Sequence, residues 1–209
     1  AFDVWMGRAF PQAPWCRYAD DGLVHCQTEQ EAQQIKAALA ARLAECKLEL
    51  HPEKTRIVYC KDRSRKGRYP NTKFDFLGYS FRPRVVKDRK RGNLFVSFTP
   101  AVSPASLKEL RQETRNRNWR NRSDLSLKDI ADSYNPVLRG WMGYFGRYCP
   151  SAMYPALRHF NATLVAWAMR KFKRLRGHRR RAGLFMKAIS KRQPGLFPHW
   201  QRGMAGSFA

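Results

Sequence analysis

Apolar and polar positions near the start of the chain are arranged around a polar tetrapeptide. Two short apolar runs, residues 13–16 and 22–26, flank Tyr18-Ala19-Asp20-Asp21. Short apolar segments separated by turn-forming residues such as Asp and Gly are typical of a β-hairpin. The pattern therefore predicts a hairpin with Asp20 and Asp21 at its tip. From these residues alone, a plain turn and a metal-binding turn both stay open.

A helix and three strands are predicted after the hairpin. Thr28 followed by Glu31 is the pattern of a capping box, and the helix is expected to run to about Cys46. Its buried stripe comprises Ile35, Leu39 and Leu43. The strands are predicted at residues 56–60, 74–81 and 93–98. Gly78, inside the second strand, allows close backbone approach or marks a bulge. The resulting β-α-β-β-β order is typical of an α+β fold.

From Ser103 onward the pattern becomes helical. Ser103 as the cap and Pro104 in the first turn predict a helix to about Arg120. A second helix begins near Ser126 and is expected to break or kink at Pro136, because proline lacks the backbone N–H that a helix interior needs.

A third helix is predicted over residues 151–172, with an apolar stripe made of Leu157, Phe160, Leu164, Trp167 and Ala168. Three helices of this kind form a small bundle. The apolar cluster at residues 194–200 is expected to dock on the bundle. Within it, His199 is interpreted as a packing residue, since no second His or Cys lies at the spacing of a metal site.

Charge divides the chain into two parts. The net charge is +25, yet the first 60 residues carry 7 basic and 8 acidic side chains, so the remaining 149 residues hold 34 basic and 8 acidic ones. The densest run places eight cations within residues 170–181. Such an excess favours a polyanionic partner, because phosphates release counterions when they meet Lys and Arg.

The five cysteines, an odd number without C-x-x-C spacing, predict neither a disulfide framework nor a structural zinc site. A reduced, cytosolic protein is therefore expected, and no apolar stretch is long enough to cross a membrane. The adjacent carboxylates of Asp20 and Asp21 repel each other unless a cation neutralises them. Mg²⁺, or Mn²⁺ in its place, suits such oxygen ligands.

Four motifs occur in a fixed order along the chain: Tyr18-Ala19-Asp20-Asp21, Pro52-Glu53-Lys54-Thr55, Phe74-Asp75-Phe76-Leu77-Gly78 and Leu138-Arg139-Gly140-Trp141. The series resembles the reverse transcriptases of bacterial group II introns, from the middle of the palm through the thumb, or maturase (X) domain. The resemblance covers essentially the whole chain. It implies part of a polymerase palm, an antiparallel sheet with a packed helix, at residues 1–100. An all-α three-helix thumb would follow at 101–175, and a basic and aromatic extension at 176–209.

The resemblance also implies a role for each motif. Asp20 and Asp21 would be catalytic residues that hold two Mg²⁺ ions, and Lys54 would protonate the leaving pyrophosphate. The residues close to primer and nucleotide would be Tyr18, Ala19, Phe76, Leu77 and Gly78. RNA contacts are assigned to Arg111, Arg115, Arg117, Arg120, Arg170, Lys171, Lys173, Arg174, Arg176, Arg179, Arg180 and Arg181.

The function implied is RNA-directed DNA synthesis together with the splicing and mobility of a group II intron, in the bacterial cytoplasm. The partners would be structured intron RNA, an RNA template–DNA primer duplex and dNTP. Two alternatives stay open: a non-catalytic RNA-binding splicing factor, and a reverse transcriptase of a retron or CRISPR-associated system. The family's fingers, its Pro-Gln-Gly segment and a further metal-binding Asp are not found before the hairpin. We therefore expect that this 209-residue chain alone does not polymerise.

Overall fold

The computed structural model describes residues 2–88, 90–204 and 208. Internal contacts divide the chain into two units. The first comprises the residues up to Phe76 together with Val85–Ser97, and the second comprises Leu77–Arg84 together with the residues from Phe98 onward. Strands end at Val102 and helices follow, which confirms the predicted α+β class.

The first unit begins with a short helix and a hairpin, and a long helix follows them. Its first elements are α1 (Phe2–Ala9), β1 (Trp15–Tyr18), β2 (Asp21–Val24) and α2 (Glu29–Glu45). The two strands pair antiparallel with Tyr18 opposite Asp21, so the predicted hairpin is confirmed.

The start of α2 follows from its capping residues. The Thr28 side chain accepts a hydrogen bond from the Glu31 N–H at 3.1 Å, as predicted. The Glu31 carboxylate, however, accepts from the Gln27 N–H at 2.7 Å, one residue before the position that a capping box uses. Of the predicted apolar stripe, Ile35 is buried, whereas Leu39 and Leu43 are half-buried.

The strand predicted at residues 56–60 is wrong, because this segment makes isolated hydrogen bonds rather than a ladder. The Tyr59 N–H donates to the Asn71 carbonyl at 2.8 Å, and the Lys61 N–H folds back onto the Tyr59 carbonyl at 2.9 Å. The rings of Tyr59 and Tyr69 stack with their centroids 4.3 Å apart. The segment is therefore a loop whose two arms are held together at a few points.

The prediction of one continuous strand at residues 74–81 is also wrong. It divides into β3 (Phe74–Phe76) and β4 (Tyr79–Lys87) with a turn at Leu77 and Gly78, and β5 (Leu94–Val102) completes a three-stranded sheet in the order β3-β4-β5. Both turn residues have positive φ, 49° for Leu77 and 75° for Gly78. Two consecutive residues of this kind reverse the chain tightly, so Gly78 belongs to a turn rather than a bulge.

The helices of the second unit surround one apolar core. They are α3 (Pro104–Asn116), α4 (Leu127–Tyr144), α5 (Tyr154–Lys171), α6 (Arg179–Arg192) and α7 (Pro198–Gln201). The predicted stripe of α5 is fully buried in this core, as expected. The last two helices were not predicted.

Two predictions about helix ends need correction. α3 ends at Asn116 rather than near Arg120, because Asn118 takes the left-handed conformation with φ 53° and the chain continues as a short 3-10 helix. α4 runs without a break through Pro136. Because Pro136 has no N–H, the Asp132 carbonyl lacks its usual helical hydrogen bond. Asp132 and Pro136 are both exposed, so water can bind this carbonyl instead.

The predicted docking of residues 194–200 is confirmed. Phe197, His199 and Trp200 are at most 2% exposed. The His199 imidazole lies 2.8 Å from the side-chain oxygen of Asn161, which also accepts a hydrogen bond from the Trp200 indole at 3.1 Å. Burial lowers the pKa of His199 to about 3, so its imidazole is neutral and serves packing, as interpreted from the sequence.

Candidate functional site

The hairpin presents its two carboxylates to solvent. Ala19, with φ 53°, and Asp20 form a two-residue turn, and Asp21 opens β2 opposite Tyr18. All four residues are exposed, and the Tyr18 ring is 64% exposed. Within the described residues, neither carboxylate forms a side-chain hydrogen bond or an ion pair. Both are therefore free to bind an external ligand.

Arg17 fixes the base of this turn, a contact that the sequence did not reveal. Its guanidinium donates to both carboxylate oxygens of Asp3, at 2.9 and 3.0 Å, and to the Ala19 carbonyl at 2.6 Å. The hydrogen bond from Arg17 lowers the pKa of the Asp3 carboxyl. Through its ion pair with Arg17, Asp3 therefore holds α1 against the hairpin. The sequence did not predict this contact, because no periodic pattern connects two residues 14 positions apart.

Lys54 lies in the turn that follows Pro52 and is exposed. This turn is closed by a hydrogen bond from the Thr55 N–H to the His51 carbonyl at 2.9 Å. Phe76 ends β3 in the same unit, half-buried, whereas Leu77 and Gly78 belong to the second unit. Among the residues that the structure describes, no group of three or more His, Cys, Asp or Glu side chains could hold a metal ion.

The second unit has a basic groove, defined here by Arg120, Arg170 and Arg176 together with Asn121 and Ser123. Its volume is about 470 Å³, and its lining contains no carboxylate among the described residues. Arg120 comes from the 3-10 helix after α3, Arg170 from the last turn of α5, and Arg176 from the segment before α6. Arg120 thus shares one concave surface with Arg170 and Arg176, although 50 residues separate it from Arg170 in the sequence.

Other predicted RNA-binding cations already have partners inside the protein. The Lys171 ammonium donates to the carbonyls of Ser123 and Leu125 at 2.9 and 2.8 Å. The Arg117 guanidinium pairs with Glu113 at 2.8 Å. Arg111 donates to the Leu107 carbonyl, Arg115 to the Gln112 side chain, and Arg174 lies over the Phe185 ring.

The remaining predicted cations, Lys173, Arg179, Arg180 and Arg181, are exposed. The last three fill the first turn of α6, which holds no acidic residue. Because the N-terminus of a helix carries partial positive charge, three arginines there are repelled by the helix as well as by one another. A bound anion would relieve that repulsion.

Two family models match the chain. Residues 2–81 match the reverse transcriptase (RNA-dependent DNA polymerase) family, and residues 107–183 match the group II intron, maturase-specific domain. The hairpin and the basic groove thus lie within a reverse transcriptase segment and a maturase domain. The chain belongs to the reverse transcriptases of group II introns that also act as maturases in intron splicing.

The family has two consequences for the chemistry of this chain. Reverse transcriptases generally use divalent metal ions, and the two domains together imply binding of intron RNA and of nucleic-acid substrates.

No curated protein matches the chain. No helix in the described ranges combines the length and the apolar character needed to span a membrane.

Proposed function

We propose that the second unit binds structured intron RNA through the basic groove, and that Asp20 and Asp21 contribute to a divalent metal site for RNA-directed DNA synthesis. The observation that carries the RNA proposal is the convergence of Arg120, Arg170 and Arg176 on one surface whose described lining residues include no carboxylate. Guanidinium groups match phosphate oxygens in geometry as well as charge. Contacts of this kind give affinity without sequence readout.

The dependence of RNA affinity on salt tests the groove. Each phosphate contact contributes a slope of about 0.7 to 0.9 in a plot of log affinity against log salt. Changing Arg120, Arg170 and Arg176 together to Gln should therefore flatten the slope by about 2 to 3. The matched control is Arg122→Gln, because the Arg122 guanidinium already pairs with Asp124 at 2.8 Å. An unchanged slope in the triple variant, with circular dichroism like that of the wild type, would place the RNA elsewhere.

The donors at the hairpin fit a hard divalent cation in type, since two adjacent exposed carboxylates stand at its tip and have no side-chain partner within the described residues. Asp20 and Asp21 would hold Mg²⁺ or Mn²⁺. The ion, when bound, would stabilise charge that develops during phosphoryl transfer. The resemblance calls for a further carboxylate, so DNA synthesis is proposed to need more than these two. Template-dependent primer extension by this chain would contradict that requirement.

Mn²⁺ titration tests the metal site without relying on activity. Paramagnetic Mn²⁺ should broaden the backbone NMR signals of Asp20 and Asp21 first, and Asp20→Asn should weaken the effect. The matched control is Asp75→Asn, which changes an exposed aspartate outside the hairpin. Broadening that is equal in wild type and Asp20→Asn would remove the metal role. It would favour the alternative of a non-catalytic splicing factor.

The other residue roles implied by the family resemblance are proposed unchanged. We propose that Lys54 acts as the proton donor and that Tyr18, Ala19, Phe76, Leu77 and Gly78 lie near primer and nucleotide. The exposure of Tyr18 and Lys54 supports access by a substrate. The boundaries at residues 100 and 175 likewise stay predictions for the palm, the thumb and the extension.

A further inference from the structure

The turn at Leu77 and Gly78 is joined to the end of α4 by two tyrosines. The Tyr144 hydroxyl donates to the Leu77 carbonyl at 2.8 Å. In return, the Tyr79 hydroxyl donates to the Tyr144 carbonyl. The two rings pack with their centroids 5.2 Å apart, and we refer to Tyr79 and Tyr144 as the tyrosine clamp.

The clamp uses a backbone carbonyl at the end of α4, which otherwise accepts only a long hydrogen bond within the described residues, from the Arg147 N–H at 3.5 Å. Tyr144 is the last residue of α4, and the last carbonyls of a helix have no acceptor role within it. The Tyr79 hydroxyl satisfies one of them. Tyr79 is 7% exposed, and burial raises the pKa of its hydroxyl, so it stays a neutral donor. Tyr144, in contrast, is 48% exposed and reaches the turn from the surface.

Gly78 is also held, by a hydrogen bond from the residue before α3. Its carbonyl accepts a hydrogen bond from the Ser103 N–H at 2.9 Å, directly before α3. A Cβ atom at Gly78 would lie 2.9 Å from the Ser106 hydroxyl and 3.0 Å from a ring carbon of Phe145. The turn is therefore fixed between the start of α3 and the end of α4, and only glycine fits there without displacing a neighbour.

The left-handed backbone conformation of Leu77 is unfavourable in free energy, and these contacts offset that cost. A residue with a side chain is disfavoured at φ 49°, so an isolated Leu-Gly turn would visit other conformations. The Leu77 side chain is nevertheless 38% exposed and its carbonyl faces Tyr144. The protein thus holds a strained, accessible turn in one conformation, and strained turns of this kind are enriched where proteins contact ligands.

We propose that Tyr79 and Tyr144 are positioning residues that hold the turn at Leu77 and Gly78 against the primer strand. The proposal rests on the proposed function, which places this turn next to the primer. It adds that the orientation of α4, a core helix of the maturase domain, sets the conformation of the turn. Removing the Tyr144 hydroxyl should loosen the turn without changing the basic groove.

Photo-crosslinking tests this link directly. The probe is an RNA template–DNA primer duplex with 4-thiothymidine at the primer 3′ end, bound to the full chain. Wild type should crosslink within residues 76–79, and Tyr144→Phe should reduce that yield about fivefold, the effect of one lost hydrogen bond. Duplex affinity should stay within about twofold, since phosphate contacts supply most of it. The control is Tyr154→Phe, because the exposed Tyr154 hydroxyl makes no hydrogen bond within the described residues.

Amide exchange supplies a second readout that needs no nucleic acid. The Ser103 N–H reports whether the Gly78 carbonyl is docked, so Tyr144→Phe should speed its exchange about fivefold. Equal crosslinking by wild type and Tyr144→Phe would overturn the positioning role. Absence of any wild-type crosslink at the turn would refute the primer assignment, and the positioning role with it. Faster Ser103 exchange in Tyr144→Phe would then still identify the clamp as the contact that holds the turn.

Discussion

Acidification should destabilise the second unit through one buried histidine. The His199 side chain is completely buried, and its pKa is lowered to about 3 by the loss of hydration. In the unfolded chain the imidazole has a pKa of about 6.5. Between pH 3 and 6.5 the unfolded state therefore binds a proton that the folded state does not bind. Stability contributed by His199 is complete above that interval and falls as the pH decreases through it.

The size of the effect follows from the same two pKa values. Lowering the pH from 7 to 5 should reduce the free energy of unfolding by about 2 kcal/mol. At pH 5 the solution is about one and a half units below the pKa of the imidazole in the unfolded chain, so the unfolded state is stabilised by protonation. Urea unfolding followed by tryptophan fluorescence at pH 7 and pH 5 measures this change. The variant His199→Gln removes the titrating group and keeps an N–H donor for Asn161.

The comparison between variants isolates His199 from other titrating groups. Burial also lowers the pKa of His159, helped by Arg115 and Arg111, so the variant should retain a weaker dependence on pH. His51→Gln, which removes an exposed imidazole, should behave like wild type. If wild type and His199→Gln lost the same free energy between pH 7 and pH 5, the argument from burial would be refuted.

Three further substitutions have expected outcomes. Gly78→Ala should lower the free energy of unfolding by about 1 to 3 kcal/mol more than Gly92→Ala does. Both glycines have positive φ, but only at Gly78 would a Cβ atom be forced against close neighbours. Equal losses of stability in thermal unfolding would contradict this. Lys171→Met should lower stability by about 1 to 3 kcal/mol, through two lost carbonyl partners, yet leave the salt slope of RNA binding unchanged. Asn161→Leu should cost about 2 to 5 kcal/mol in urea unfolding, because it leaves the buried Trp200 indole without its acceptor; a loss below about 1 kcal/mol would show that the network contributes little.

Local signals in the sequence were sufficient for much of the fold. The two-residue turn at Ala19 and Asp20 and the cap at Ser103 depend on residues within a few positions of each other. At the start of α4, Ser126 and Asp129 form a complete capping box. The apolar stripe of α5 was visible for the same reason, because its period is that of a helix.

The features that were missed depend on distant contacts or on charge. Leu77 adopts a left-handed turn with help from Tyr144, 67 residues away, so the local sequence resembled a continuous strand. α6 was not predicted because its dense basic residues are also typical of a phosphate-binding segment, although Ala182 and Met186, four residues apart, are both buried. The sequence also could not separate Lys171, whose ammonium is engaged internally, from the cations that line the groove.

The most direct test of the account is to map where the chain contacts a structured group II intron RNA. Ultraviolet crosslinking followed by mass spectrometry should place the RNA at Arg120, Arg170 and Arg176 and at the first turn of α6. Crosslinks should be lost at high salt, since the contacts are to phosphates. Crosslinks concentrated in α2 of the first unit, with none at the groove, would contradict the claim that the maturase domain binds RNA through this surface.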